Sequence, residues 1–130
     1  MHSYHDVNTI RVELTAYRKG SLWVKIDMIK RLVQWNDSIQ WSNNFMRSLS
    51  PSCMSLLEEK LPETLFLQWD EINPDESSVV PMQKELIWEV DVSFSDGEMK
   101  RMGGNQFYPQ NWNEFKSIIE NISRTPFRLK

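Results

Sequence analysis

The chain has 130 residues, 40% hydrophobic and 25% charged, with a formal net charge of −3 at pH 7. That size and balance describe one domain able to bury a core unaided, and they argue against global disorder. Cys53 is the single cysteine, so no intrachain disulfide is available, and no apolar run approaches the ~18–20 residues that span a bilayer. The opening MHSYHDVN lacks the charged and apolar regions of a secretory signal. A cytoplasmic protein without a membrane segment is the expectation.

Residues 1–8 are polar and read as a flexible arm, residues 9–122 as a single domain and residues 123–130 as a tail. His2 and His5 lie three apart in the arm with no further ligand nearby, so no metal is expected there. Ile10, Val12, Leu14 and Ala16 alternate with Arg11, Glu13, Thr15 and Tyr17, the period of a half-buried strand. Lys19-Gly20-Ser21 reads as a turn. Leu22, Val24, Ile26 and Met28 resume the alternation, with Trp23, Lys25 and Asp27 opposite, so the two strands form a hairpin. Met28 to Val33 suits strand or helix, and a continuing, bulged strand is favoured because no helix cap intervenes. Asn36-Asp37-Ser38 reads as a turn, and Ile39, Trp41 and Phe45 suggest a third strand.

Ser50-Pro51 opens a helix, with Ser as cap and Pro at the first position, and Met54, Leu57 and Leu61 recur at helical spacing. Cys53 in its first turn reads as a small packing residue. Pro62 ends or bends the helix. Leu65, Phe66, Leu67 and Trp69 form a short apolar run, either a last helical turn or a short strand, and Asp70 to Gln83 reads as a loop. Trp88, Val90, Val92 and Phe94 alternate with Glu89, Asp91 and Ser93. Asp96-Gly97 is a tight turn, both residues tolerating positive φ, and Met99 to Met102 returns antiparallel. Gly103-Gly104-Asn105 ends that strand. Asn111 with Glu114 resembles a capping box, and Trp112, Phe115, Ile119 and Ile122 share one face of the last helix. The expected fold is α+β: a single antiparallel sheet of about five strands in the order β-β-β-α-β-β-α, with two helices packed on one face. Trp88 and Trp112 should meet as structural anchors.

Charge is unevenly distributed. Residues 1–50 carry seven Lys/Arg against four Asp/Glu, residues 51–96 two against eleven, and residues 97–130 six against three. The middle third reads as one solvated acidic face, which would attract a basic partner. Asp70, Glu71, Asp75 and Glu76 are its densest part, and their spacing is not that of an EF-hand loop. No Walker-type Gly-rich loop, Cys/His cluster or Ser-His-Asp arrangement stands out, so no cofactor, metal or catalytic residue is assigned. A pair of surface carboxylates remains the only enzymatic reading. A nucleic-acid surface would need Lys25, Lys30 and Arg31 with Trp23 and Trp35, joined by Lys100 and Arg101 if the two hairpins are neighbours. Gly104, Asn105 and Tyr108 in the segment up to Trp112 read either as a partner- or ligand-contact loop at a helix N-terminus or as a strand-to-helix connection.

Residues 50–122 carry a combination of motifs: Trp69-Asp70-Glu71, Asn73-Pro74-Asp75, Trp88 to Phe94, Ser95-Asp96-Gly97, Gly104-Asn105 and Tyr108-Pro109-Gln110-Asn111-Trp112. This combination resembles a group of uncharacterised bacterial small proteins, common in Firmicutes. Members often place Asp-Gly-x-x-Trp just before the strand, where this chain has Gln83-Lys84-Glu85-Leu86-Ile87-Trp88. The resemblance implies the fold and no reaction. A non-catalytic protein-interaction module follows as the expectation, an adaptor, immunity or anti-host protein, monomeric or weakly dimeric, whose partner is a protein with a basic surface. Small-ligand binding, an enzyme using surface carboxylates and nucleic-acid binding are the alternatives.

Overall fold

The computed structural model describes residues 4–16, 20–38, 44–64, 66–69, 86–104 and 111–125. Six strands and two α-helices lie among them: β1 (Val7–Ala16), β2 (Gly20–Asp27), β3 (Leu32–Asp37), β4 (Phe45–Ser48), α1 (Pro51–Lys60), β5 (Leu86–Phe94), β6 (Met99–Gly104) and α2 (Trp112–Ser123). The strands form one antiparallel sheet in the order β4-β3-β2-β1-β5-β6. The fold is α+β, as expected, with a sixth strand. No helix among the described residues is long and apolar enough to cross a membrane.

The period-two pattern sets the two faces of the sheet. Ile10, Val12 and Leu14 of β1 stand in register with Ile26, Val24 and Leu22 of β2 and with Val92, Val90 and Trp88 of β5. All nine are buried, and they form one core with Leu57 of α1 and with Trp112, Phe115, Ile119 and Ile122 of α2. Both helices therefore cover the same face. Trp88 and Trp112 are each 4% exposed, with ring centroids 6.4 Å apart. Trp69 packs edge-on against Trp88 at 5.6 Å and also contacts Phe115 at 5.0 Å. Offset and edge-to-face packing of this kind adds to the area each ring buries.

Several local expectations need correction. Residues 4–8 are not a free arm. Tyr4–Asp6 is a 3-10 turn, β1 begins at Val7, and the Ser95 amide donates to the Asp6 carbonyl. The β1–β5 register slips between Val7 and Thr9, a bulge at Asn8 that turns Val7 into the core although it lies an odd number of residues from Ile10. Met28 to Val33 is not one continuing strand. Residues 28–31 form a turn in which Asp27 Oδ1 accepts from the Ile29 and Lys30 amides, at 3.0 and 2.8 Å, and Arg31 sits at φ 57°. A side-chain carboxylate thus satisfies the backbone where a continuing ladder was expected. Asn36 and Asp37 belong to β3, and Gly20 and Ser21 to β2. Ile39 and Trp41 lie outside the described residues; the strand paired with β3 is β4, starting at Phe45.

Ser50 caps α1 as expected: its Oγ accepts from the Cys53 amide at 3.2 Å, with Pro51 in the first turn. Of the apolar run after Pro62, Phe66–Gln68 takes the helical alternative, as a 3-10 turn. In the β5–β6 hairpin the Phe94 amide donates to the Glu98 carbonyl, and of Asp96 and Gly97 only Gly97 takes positive φ, 88°. Asn111 precedes α2 but forms no capping box. It takes the left-handed conformation, φ 66°, and its Nδ2 donates to the Thr64 carbonyl at 3.3 Å, tying α2 to the turn after α1.

Candidate functional site

Both α-helices lie on one side of the sheet, so among the described residues the opposite side has no layer over it. Antiparallel sheets tolerate this when the outward side chains are polar. Across the middle of this open face the register aligns Met46, Gln34, Lys25, Arg11, Asp91 and Arg101, one from each strand. The next row is Asn36, Trp23, Glu13, Glu89 and Gly103.

Arg11 is the hub of these rows. Its guanidinium lies over the Trp23 indole, 5.1 Å from the ring centre. It donates to Glu13 Oε2 at 3.0 Å and comes within 3.9 Å of Asp91 Oδ2. On the other side of Asp91, Arg101 Nε donates to Oδ1 at 2.7 Å. That hydrogen bond, helped by the charges of Asp91 and Glu89, raises the Arg101 pKa above its usual value and fixes its charge. Thr9 and Ser93 are hydrogen-bonded through their hydroxyls nearer the end of the face. Each ion pair is partly solvated, so its contribution to stability is small. Their effect is geometric: they hold a planar cation and an indole in one arrangement before anything binds.

The face also carries apolar side chains in water. Among the described residues the exposed large hydrophobics are Ile29, Met46, Ile87 and Met99. Met46 stands opposite Gln34, Ile87 opposite Thr15 and Met99 opposite Ser93, which places three of the four on the open face. Charge there is mixed, with Arg11, Lys25 and Arg101 set among Glu13, Asp27, Glu89 and Asp91.

The residues singled out from sequence are distributed differently. Asp70, Glu71, Asp75, Glu76, Asn105 and Tyr108 lie outside the described residues. Gly104 ends β6 opposite Trp88, and a Cβ built there would lie 2.8 Å from Trp88 Nε1, so its smallness makes room for the indole. The described acids of the middle third do not make one face. Glu58, Glu59 and Glu63 are exposed on the helical layer, whereas Glu89 and Asp91 alternate with buried Trp88, Val90 and Val92 and so lie on the other side of the sheet. The basic patch does not assemble either. Trp35 is 1% exposed in the core, Lys100 turns to the covered side and donates to the Leu67 carbonyl at 2.7 Å, and Lys30 and Arg31 sit in the β2–β3 turn. Only Trp23, Lys25 and Arg101 of that set reach the open face. Alternation in the sequence separates these residues by side, but the neighbours across the sheet, above all Arg11 beside Asp91, required the strand order. Neither the family models nor the curated proteins compared with this chain gave a match.

Proposed function

We propose that the chain is a protein-interaction module with no chemistry of its own, and that its partner docks on the open face of the sheet. The observation that supports this most is that Met46, Ile87 and Met99 are all exposed on the face that presents Trp23 with Arg11 over it. Met, Trp and Arg are the types enriched at protein contacts, and Trp and Arg dominate their energetics. The ionic row already fixes Arg11, so less side-chain freedom is lost on docking. The mixed charge, with acids not outnumbered by bases, favours a protein surface of mixed sign over a nucleic acid, whose phosphates reward net positive charge.

The test is affinity capture from the source organism with three baits: the native chain, a Trp23→Ala/Met46→Ser variant of the open face, and a Glu59→Lys variant of the helical layer. The reading expects a protein retained by the native and Glu59→Lys baits and reduced at least about tenfold on the open-face variant, a loss equivalent to about 1.4 kcal/mol. Loss on Glu59→Lys alone would move the contact to the helices and favour the basic partner inferred from the acids of the middle third.

A further inference from the structure

The sheet is open, and its last strand, β6, has no strand beyond it among the described residues. The ladder to β5 fixes which of its backbone groups are engaged. The Phe94 amide donates to the Glu98 carbonyl, so these two residues form a bonded pair. With the register, Val92 and Lys100, Val90 and Met102, and Trp88 and Gly104 follow as bonded pairs. The amides and carbonyls of Met99, Arg101 and Gly103 therefore point out from the edge of the sheet. The other outer strand, β4, has four residues against six in β6 and offers a shorter edge.

Outer strands are commonly guarded by proline, by a bulge or by charges that project from the edge. β6 contains no proline, and its register with β5 runs without a slip. Both of its cations are held inward. Lys100 donates to the Leu67 carbonyl on the covered side, and Arg101 donates through Nε to Asp91 on the open side. That bond leaves the terminal nitrogens of Arg101, on a side chain 73% exposed, for a second carboxylate. Glu89 offers one. It stands opposite Gly103, and a Cβ built on that glycine would lie 3.5 Å from Glu89 Cγ, so the bare glycine is all that separates Glu89 from the edge.

We propose that β6 pairs antiparallel with β6 of a second copy of this chain about a twofold axis at Met102, joining the two sheets edge to edge. Charge selects the register. An axis at Lys100 would set Lys100 directly against Lys100 of the second copy, and an axis at Arg101 would set Arg101 against Arg101, both repulsive. An axis at Met102 sets Met102 against Met102 and Arg101 against Gly103. The outward backbone groups of Arg101 and Gly103 then exchange hydrogen bonds on each side of the axis. Arg101 reaches across the glycine to Glu89 of the second copy, two strand spacings away or about 10 Å between Cα atoms, within the joint span of the two side chains. The axis stands upright to the sheet, so both open faces look the same way. The pairing widens the docking face and does not depend on it.

The native chain is measured first. Sedimentation from about 10 μM to about 1 mM should show the mass rising toward that of a dimer, as for a small, transient contact. Over the same range, amide hydrogen exchange at Arg101 and Gly103 should slow at least about fivefold. Glu89→Lys and Arg101→Glu should each weaken the dimer at least about tenfold, because the axis doubles every contact, and the double variant should return to within about threefold of the native affinity. Thermal melts show whether the variants fold; if one does not, exchange in the native chain decides alone. Three results would overturn the pairing. One is a monomer across the whole range. Another is a dimer whose Arg101 and Gly103 amides exchange as fast as in the dilute chain, which would move the contact to another surface. The third is a folded double variant that dimerises no better than the single ones.

Discussion

Trp88 shows how one side chain constrains its neighbours. Its indole is enclosed by Trp69 and Trp112, and Gly104 lies against its ring. Trp88→Ala and Trp112→Ala should each cost about 3–5 kcal/mol, measured by denaturant or thermal unfolding. Gly104→Ala would put a methyl 2.8 Å from Nε1, and Gly103→Ala would put one 2.9 Å from the Trp88 backbone oxygen. Each should lower stability by about 1–3 kcal/mol, Gly103→Ala the more, because a backbone atom yields less readily than a ring. Surface charges should behave oppositely: Arg101→Ala, at an exposed pair, should leave the unfolding curve close to that of the native chain. Tyr4 adds a pH dependence. Burial raises its folded pKa above the ordinary 10.0. The folded state then holds the proton more tightly than the unfolded one, so the contribution is fully present below pH 10.0 and is lost as pH rises through the folded pKa. Alkaline unfolding curves should show this loss in the native chain and a weaker one in Tyr4→Phe.

At the scale of elements, legibility depended on whether the deciding interaction was local and periodic. The β5–β6 hairpin and α2 could be read because Trp88-Val90-Val92-Phe94 and Trp112-Phe115-Ile119-Ile122 repeat with clean periods of two and about 3.6. The break after Asp27 could not, because Met28, Ile29 and Val33 look like core while one carboxylate oxygen makes the turn. Asn111 has the composition of a capping box, but the Thr64 carbonyl, 47 residues away, takes its side chain. The bulge at Asn8 is set by pairing with β5, a partner about 85 residues further on, so the phase of Val7 was hidden. Ser50→Ala should cost about 1 kcal/mol through the lost bond to the Cys53 amide. Arg124 ends α2 in the left-handed conformation, φ 57°, as Arg31 does in the β2–β3 turn. Glycine at either position should stabilise by up to about 1 kcal/mol, seen as a raised melting temperature.

For the whole molecule the governing fact is that both helices lie on one side. The helical side seals an aromatic core, and the other side is free to carry Trp23, Arg11 and three exposed apolar side chains without loss of stability. The sequence already separated Trp23 and Lys25 from Leu22, Val24 and Ile26 by alternation. It could not show that β1 sits between β2 and β5, which brings Arg11 to Asp91 and thereby to Arg101. Trp35 and Lys100 were misplaced for a related reason: residue type suggested a surface role, while strand phase turned both inward. The most direct measurement is oxidative footprinting of the free chain and of its complex with the captured partner, since Trp and Met react fastest and occur on both sides. The account predicts protection of Trp23, Met46 and Met99 in the complex, with Met28 and Met54 on the helical side unchanged. Protection confined to Met28 and Met54, with Trp23, Met46 and Met99 as reactive as in the free chain, would contradict it.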